Sequence, residues 1–268
     1  MEGNSSLRNL FNVHKPRYGT KNDIVRNAVV ALAAVFLAVA VLCASLLLST
    51  QRQYNESGDY YSKISADISP ENNSKNLHQS VTMSGEELSN IGKDVVGWIT
   101  FPDTQIDYPV AQCDNNSYYC YHLPDGSYNV GGTIFMDMLK SKDMKSRNTV
   151  LYGHHMKNGS MFQNITYYKN SSFFEDHKTA YYYTANGDYE IQIAYGFVIS
   201  SHQWNSEEYI KDANMMKLVE YAKENTTFNS GVEITATDRI MTFSTCSYEF
   251  SDANYMLIGK VVPLIVSE

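Results

Sequence analysis

The chain has 268 residues, 43% of them apolar and 19% charged, with a formal net charge of -8. That length sets a soft expectation of one or two domains, and 21 Tyr with 11 Phe is more aromatic surface than a disordered chain carries. Four Cys are too sparse for a disulfide-stapled scaffold, and the acidic balance lacks the basic footprint of a nucleic-acid binder, so no nucleic-acid partner is expected.

The charge is uneven. Residues 1–27 carry five basic side chains (Arg8, Lys15, Arg17, Lys21, Arg26) against Glu2 and Asp23, and read as a cytoplasmic basic tail. Residues 28–48 follow, 21 residues without a charge. At about 1.5 Å rise per residue such a run crosses a hydrocarbon core of about 30 Å. A cleaved signal peptide would have a shorter apolar region, so the expectation is a single-pass signal anchor in the cell membrane. Positive charge ahead of the span places the N-terminus inside and the rest outside. Residues 49–83 are rich in Asn, Ser, Gln and Asp without a sustained apolar period and read as an extracytoplasmic tether. The folded domain is expected at 84–268.

Ser84 and Glu87 form a capping-box signature for a short helix through Leu88 and Ile91. Strand-like runs then dominate: Val95–Phe101, Ile106–Val110, Gly132–Met136, Thr149–Tyr152 and Tyr181–Thr184. Asn186-Gly187 is a hairpin turn, and beyond it Tyr189, Ile191, Ile193, Tyr195, Phe197 and Ile199 alternate onto one face. Met215, Leu218, Val219 and Ala222 have helical spacing, with Asp212 or Asn214 as N-cap. Two last strands cover Arg239–Thr245 and Tyr255–Val262. Many short strands with few helices suggest one antiparallel β-barrel or sandwich.

Cys43 lies within the apolar span, leaving Cys113, Cys120 and Cys246 outside it, an odd number. Cys113 and Cys120 could bridge. Cys246 closes a strand-like run, a position from which a rigid scaffold presents a side chain to a groove. A nucleophilic thiol needs a partner, and His is the usual one. Of the seven His, His154 and His155 are delivered to a strand end by Thr149–Tyr152 through Gly153. Neither His154/His155 nor Cys113, Cys120 and His122 has zinc-ligand spacing, so no metal and no cofactor is expected.

These residues carry a resemblance. Thr242-Phe243-Ser244-Thr245-Cys246 resembles the Thr-Leu-x-Thr-Cys signature of sortases. The segment Tyr152–Phe162 is similar to the active-site histidine segment of their class B branch. Val96–Ile99, Ile106–Val110 and Gly132–Asp137 match the same branch in order. The resemblance runs from about residue 90 to about residue 262. It implies an eight-stranded sortase-like barrel with a few peripheral helices, and a cysteine transpeptidase of a Gram-positive bacterium that attaches surface proteins to the cell wall.

Carried over, Cys246 is the nucleophile that forms a thioester with a sorting-motif peptide. His154 is the general acid and base, serving the leaving amine and then the incoming peptidoglycan stem-peptide amine. The family's Arg falls on Asn254, and no Arg follows Cys246; the last one is Arg239. Lys260 could stand in only from within the groove. Tyr209 and Ile210 fall on the substrate-contacting part of the class B insertion, with packing of that insertion onto the barrel as the alternative. Ser244, Asn116 and Cys120 fall on groove positions, which argues against a Cys113–Cys120 bridge. Asn254 also keeps a second reading open, a catalytically weakened sortase-like binding module. A cysteine hydrolase releasing peptide to water is a third.

Overall fold

The computed structural model describes residues 20–68 and 83–264. The expected tail up to residue 19, and residues 69–82 of the expected tether, lie outside the described residues. The chain divides into two compact units, Met1–Ser49 and Thr50–Glu268. In the first, residues 28–48 are helical throughout, with large apolar side chains such as Phe36 and Leu47 exposed. The helix over Lys21–Ala66 is long and apolar enough to cross a membrane by length and composition.

Residues 50–68 of the expected tether are helical. Helix α1 (Lys21–Ile68) continues through them, and within the second unit it packs on the folded domain. Ser57 and Tyr61 are buried. The Tyr61 hydroxyl donates to the Gly132 carbonyl at 2.6 Å, and Ser65 Oγ donates to Asp107 Oδ2 at 2.8 Å. Tyr54, Ser57, Tyr61 and Ile64 recur at helical spacing. The stripe is narrow and lies among polar residues, so the segment reads as polar overall.

Each of the eight strand-like runs becomes a strand: β1 (Val95–Thr100), β2 (Asp107–Ala111), β3 (Ile134–Met136), β4 (Asn148–Tyr152), β5 (Thr179–Thr184), β6 (Gly187–Ser200), β7 (Ile240–Cys246) and β8 (Ala253–Pro263). They close into a barrel in the order β1-β2-β3-β4-β7-β8-β6-β5. The expected wholly antiparallel arrangement is corrected at two seams, because β2–β3 and β4–β7 are parallel. A parallel pair needs a long crossover. Residues 112–133 supply one and residues 153–239 the other.

Peripheral helices are α2 (Gly85–Ile91), α3 (Ser171–Asp176), α4 (Ser201–Trp204), α5 (Glu207–Ile210) and α6 (Met215–Asn225). The capping box on α2 is present as expected, with the Ser84 backbone N–H donating to Glu87 Oε2 at 2.7 Å. All four spaced residues of α6 are buried.

The barrel interior holds Ile99, Phe101, Ile134, Leu151, Ile191, Phe243 and Leu257. A second apolar cluster lies between α6 and the barrel's outer face, with Phe197, Ile199, Leu218, Ile240 and Met256. β6 serves both. Ile191 and Ile193 belong to the interior, whereas Tyr195, Phe197 and Ile199 belong to the outer cluster. The expected single face is therefore corrected: the register with β8 shifts between Ile193 and Tyr195, and one extra residue reverses every side chain beyond it.

Candidate active site

The parallel β4–β7 seam builds the site. Its register sets Tyr152 opposite Ser244. Beyond the last strand pair, the Gly153 N–H donates to the Ser244 carbonyl at 3.1 Å, and Thr245 Oγ1 donates back to the Gly153 carbonyl at 2.8 Å. The chain after β4 is thus held against the end of β7, which brings His154 beside Cys246. Gly153 is needed here, because a Cβ would stand 2.4 Å from Ile134 Cδ1 and 2.7 Å from the Phe162 ring.

Cys246 and His154 line one cleft of about 280 Å³, together with Asn116, Cys120, Ser244 and Asn254. Cys246 is an exposed free thiol. His154 Nε2 lies 2.7 Å from the Cys120 carbonyl. A carbonyl only accepts, so Nε2 carries a proton and Nδ1 is the nitrogen left to exchange one. His155 instead bonds the backbone of Cys246, its Nδ1 donating to the Cys246 carbonyl at 2.9 Å.

Asn254 is the direct cross-strand neighbour of Cys246 on β8. Its Nδ2 donates to Ser201 Oγ at 2.7 Å, and that hydroxyl donates to the Asp252 carbonyl at 3.0 Å. Lys260 is placed far from the cleft. It pairs with Ile240, six residues back along β7, or about 20 Å, and forms an ion pair with Asp238 at 3.1 Å. Arg239 Nη1 donates to the Met144 carbonyl at 2.5 Å, at the same remote end. Among the described residues no Arg lines the cleft.

Tyr209 and Ile210 are absent from the cleft lining. Tyr209 is buried in the outer apolar cluster, its ring 5.4 Å from that of Tyr221. The Ile210 carbonyl accepts from Lys140 Nζ at 2.8 Å. Ser244 and Asn116 do line the cleft, but the Asn116 side chain is committed. Its Nδ2 donates to the fully buried Asp137 at 2.8 Å, and its Oδ1 accepts from the Met138 N–H at 2.8 Å.

Cys113 and Cys120 are both free, so the considered bridge is not formed. The loop between them separates the two thiols: Cys113 lines a polar depression with Lys93, Asp94 and Lys142, and Cys120 lines the cleft. Burial pushes the Cys120 thiol above its ordinary value, and the neighbouring Cys246 charge pushes it further.

Sequence reasoning missed Asn205, which lines the cleft, and Lys169. Lys169 Nζ donates to Ser247 Oγ at 2.7 Å and forms an ion pair with Glu249, pinning the turn that follows Cys246. No motif marks either residue, and Lys169 meets its partners only across 78 and 80 residues of chain.

A sortase domain family matches residues 99–262. The chain belongs to the sortase family. Sortase B of Listeria monocytogenes is 31% identical over 190 residues, covering 70% of this chain and 77% of the relative. Sortase B of Staphylococcus aureus is 31% identical over 180 residues, covering 66% and 74%. The Staphylococcus aureus sortase B–substrate complex superposes with a TM-score of 0.69 at 27% identity, covering 80% of this chain and all of that one. The chain is a class B sortase, a cysteine transpeptidase, and the closed eight-stranded barrel is the fold of that branch.

Proposed function

We propose that this sortase is a membrane-anchored transpeptidase that cleaves the C-terminal sorting motif of secreted surface proteins and transfers them to a peptidoglycan amine. The observation that carries the reading is the seam of β4 and β7, which sets a histidine and an exposed thiol on one cleft. The Cys246 thiol passes its proton to His154 Nδ1, Sγ attacks the scissile carbonyl, and the new C–S bond leaves an oxyanion. Collapse breaks the C–N bond, and His154 gives its proton to the leaving amine. A wall-stem amine then attacks the thioester, His154 takes the proton of that amine, and Cys246 is released. The neutral amide of Asn254 stands across from Cys246 as a donor to the oxyanion. Charge-assisted bonds are about twice as strong as neutral ones, so this arrangement is expected to turn over slowly. The helix over residues 28–48 serves as anchor, with the catalytic domain outside the cell.

The test uses the full-length protein in detergent with a set of sorting-motif peptides. A covalent adduct on Cys246 with loss of the C-terminal fragment, followed by an amide product when a stem-peptide amine is added, is expected. Peptide cleavage that persists in Cys246→Ala would overturn the thiol mechanism. Product released only to water, with amine present, would mark a hydrolase instead.

A further inference from the structure

Cys246 shares its cleft with a second thiol. Cys120 ends the one-turn helix Tyr118–Cys120, in the loop joining β2 to β3, and its side chain lines the same cavity as Cys246. Its carbonyl is 2.7 Å from His154 Nε2, and His154 flanks Cys246 across the β4–β7 seam. Cys120 Sγ donates a long hydrogen bond, 3.6 Å to the Asn116 carbonyl, and the residue is only half-buried. The other thiols are elsewhere: Cys113 faces the separate depression, and Cys43 lies in the apolar helix.

We propose that Cys120 is a resolving cysteine for Cys246, so that an oxidised nucleophile is captured as a reversible Cys120–Cys246 disulfide. The oxidant is hydrogen peroxide, encountered outside the reducing cytosol. The Cys246 thiolate attacks the peroxide oxygen. An S–O bond forms, the O–O bond breaks, and the departing hydroxide takes the proton lost from the Cys246 thiol and leaves as water; sulfur is oxidised and peroxide reduced. The Cys120 thiolate then attacks Cys246 Sγ. The S–S bond forms, the S–O bond breaks, and the sulfenic oxygen leaves as a second water. A dithiol restores both thiols by exchange. Oxidation of Cys246 to a neutral sulfenic acid removes the charge that disfavours the Cys120 thiolate, so the first step promotes the second. Without a resolving thiol, a sulfenic acid proceeds to sulfinic and sulfonic acids, which thiols do not reverse.

The experiment exposes the full-length protein in detergent to excess hydrogen peroxide and maps cysteines by mass spectrometry, a readout independent of which peptide the enzyme cleaves. The expected wild-type product has lost two hydrogens, carries a peptide cross-link between residues 120 and 246, and regains both thiols with dithiothreitol. Cys113→Ser is expected to form the same link, which separates the two cysteines of the shared tryptic peptide. Cys120→Ser is expected to gain two or three oxygens on Cys246, beyond rescue. The proposal is overturned if wild type gains those oxygens as Cys120→Ser does, or if Cys246 is linked to Cys113 or Cys43. The wild-type map decides even where Cys120→Ser does not fold.

Discussion

Asn254 meets Cys246 across the β7–β8 ladder with a short neutral amide, already donating one hydrogen to Ser201. A guanidinium at this position would bring five donors in a fixed fork and a permanent charge. Asn254→Arg is therefore expected to speed acylation about 5- to 150-fold, equivalent to about 1–3 kcal/mol. Acylation rates at saturating peptide check this; an unchanged rate with an intact fold would mean that another donor already serves the oxyanion. Lys260 is not that donor, since it is engaged with Asp238 at the far end of the strand. A second expectation concerns the Cys120 thiol. Its folded value is raised by burial first and by the Cys246 charge second, so at any given pH less of it is thiolate than in a free cysteine. Its alkylation should rise with pH later than that of a model thiol. Removing the charge by Cys246→Ala should shift the profile back toward lower pH, but not fully, because burial remains. Iodoacetamide labelling across pH reads both effects, and a profile unmoved by Cys246→Ala would count against the electrostatic contribution.

The turn after β4 has no room for a side chain at Gly153. Gly153→Ala is expected to cost about 1–3 kcal/mol through overpacking and to move His154 off the cleft. Thermal unfolding and acylation together should show it, with activity falling further than stability alone accounts for; full activity would mean that Ile134 and Phe162 give way freely. On α1, Tyr61→Phe removes the bond to the Gly132 carbonyl while keeping the ring. It should cost about 1 kcal/mol, within the usual range for a buried hydrogen bond, and a denaturation midpoint equal to wild type would show that the helix is not held there. The strands were legible in the sequence because alternation and turn residues mark them locally. The bulge on β6 was not, since Ala194 breaks no pattern: hydrophobic residues continue on both sides of it, and only the partner β8 reveals that the face has changed. The stripe Tyr54, Ser57, Tyr61 was there to be found, but a buried Ser and wide polar intervals kept its contrast low.

For the whole molecule, the proposed anchor predicts that the full-length chain sediments with membranes and that a protease added outside wall-stripped cells cuts residues beyond 84; a soluble full-length product would refute it. The two chemical ends of the site were legible for a related reason. Each proposed reactive residue lies at a strand end, Cys246 as the last residue of β7 and His154 two residues past β4. Their meeting was not legible from spacing, because Thr245 and Gly153 are 92 residues apart and joined by a parallel pairing. That separation gives the enzyme a schedule. A contact so distant along the chain forms late, after loop closure across the intervening strands. His154 is synthesised 92 residues before Cys246, and the two are brought to one cleft only when β7 pairs with β4. A chain that stalls with the barrel open carries a cysteine apart from its histidine, and the power to cut peptide bonds arrives only with the pairing of β4 and β7.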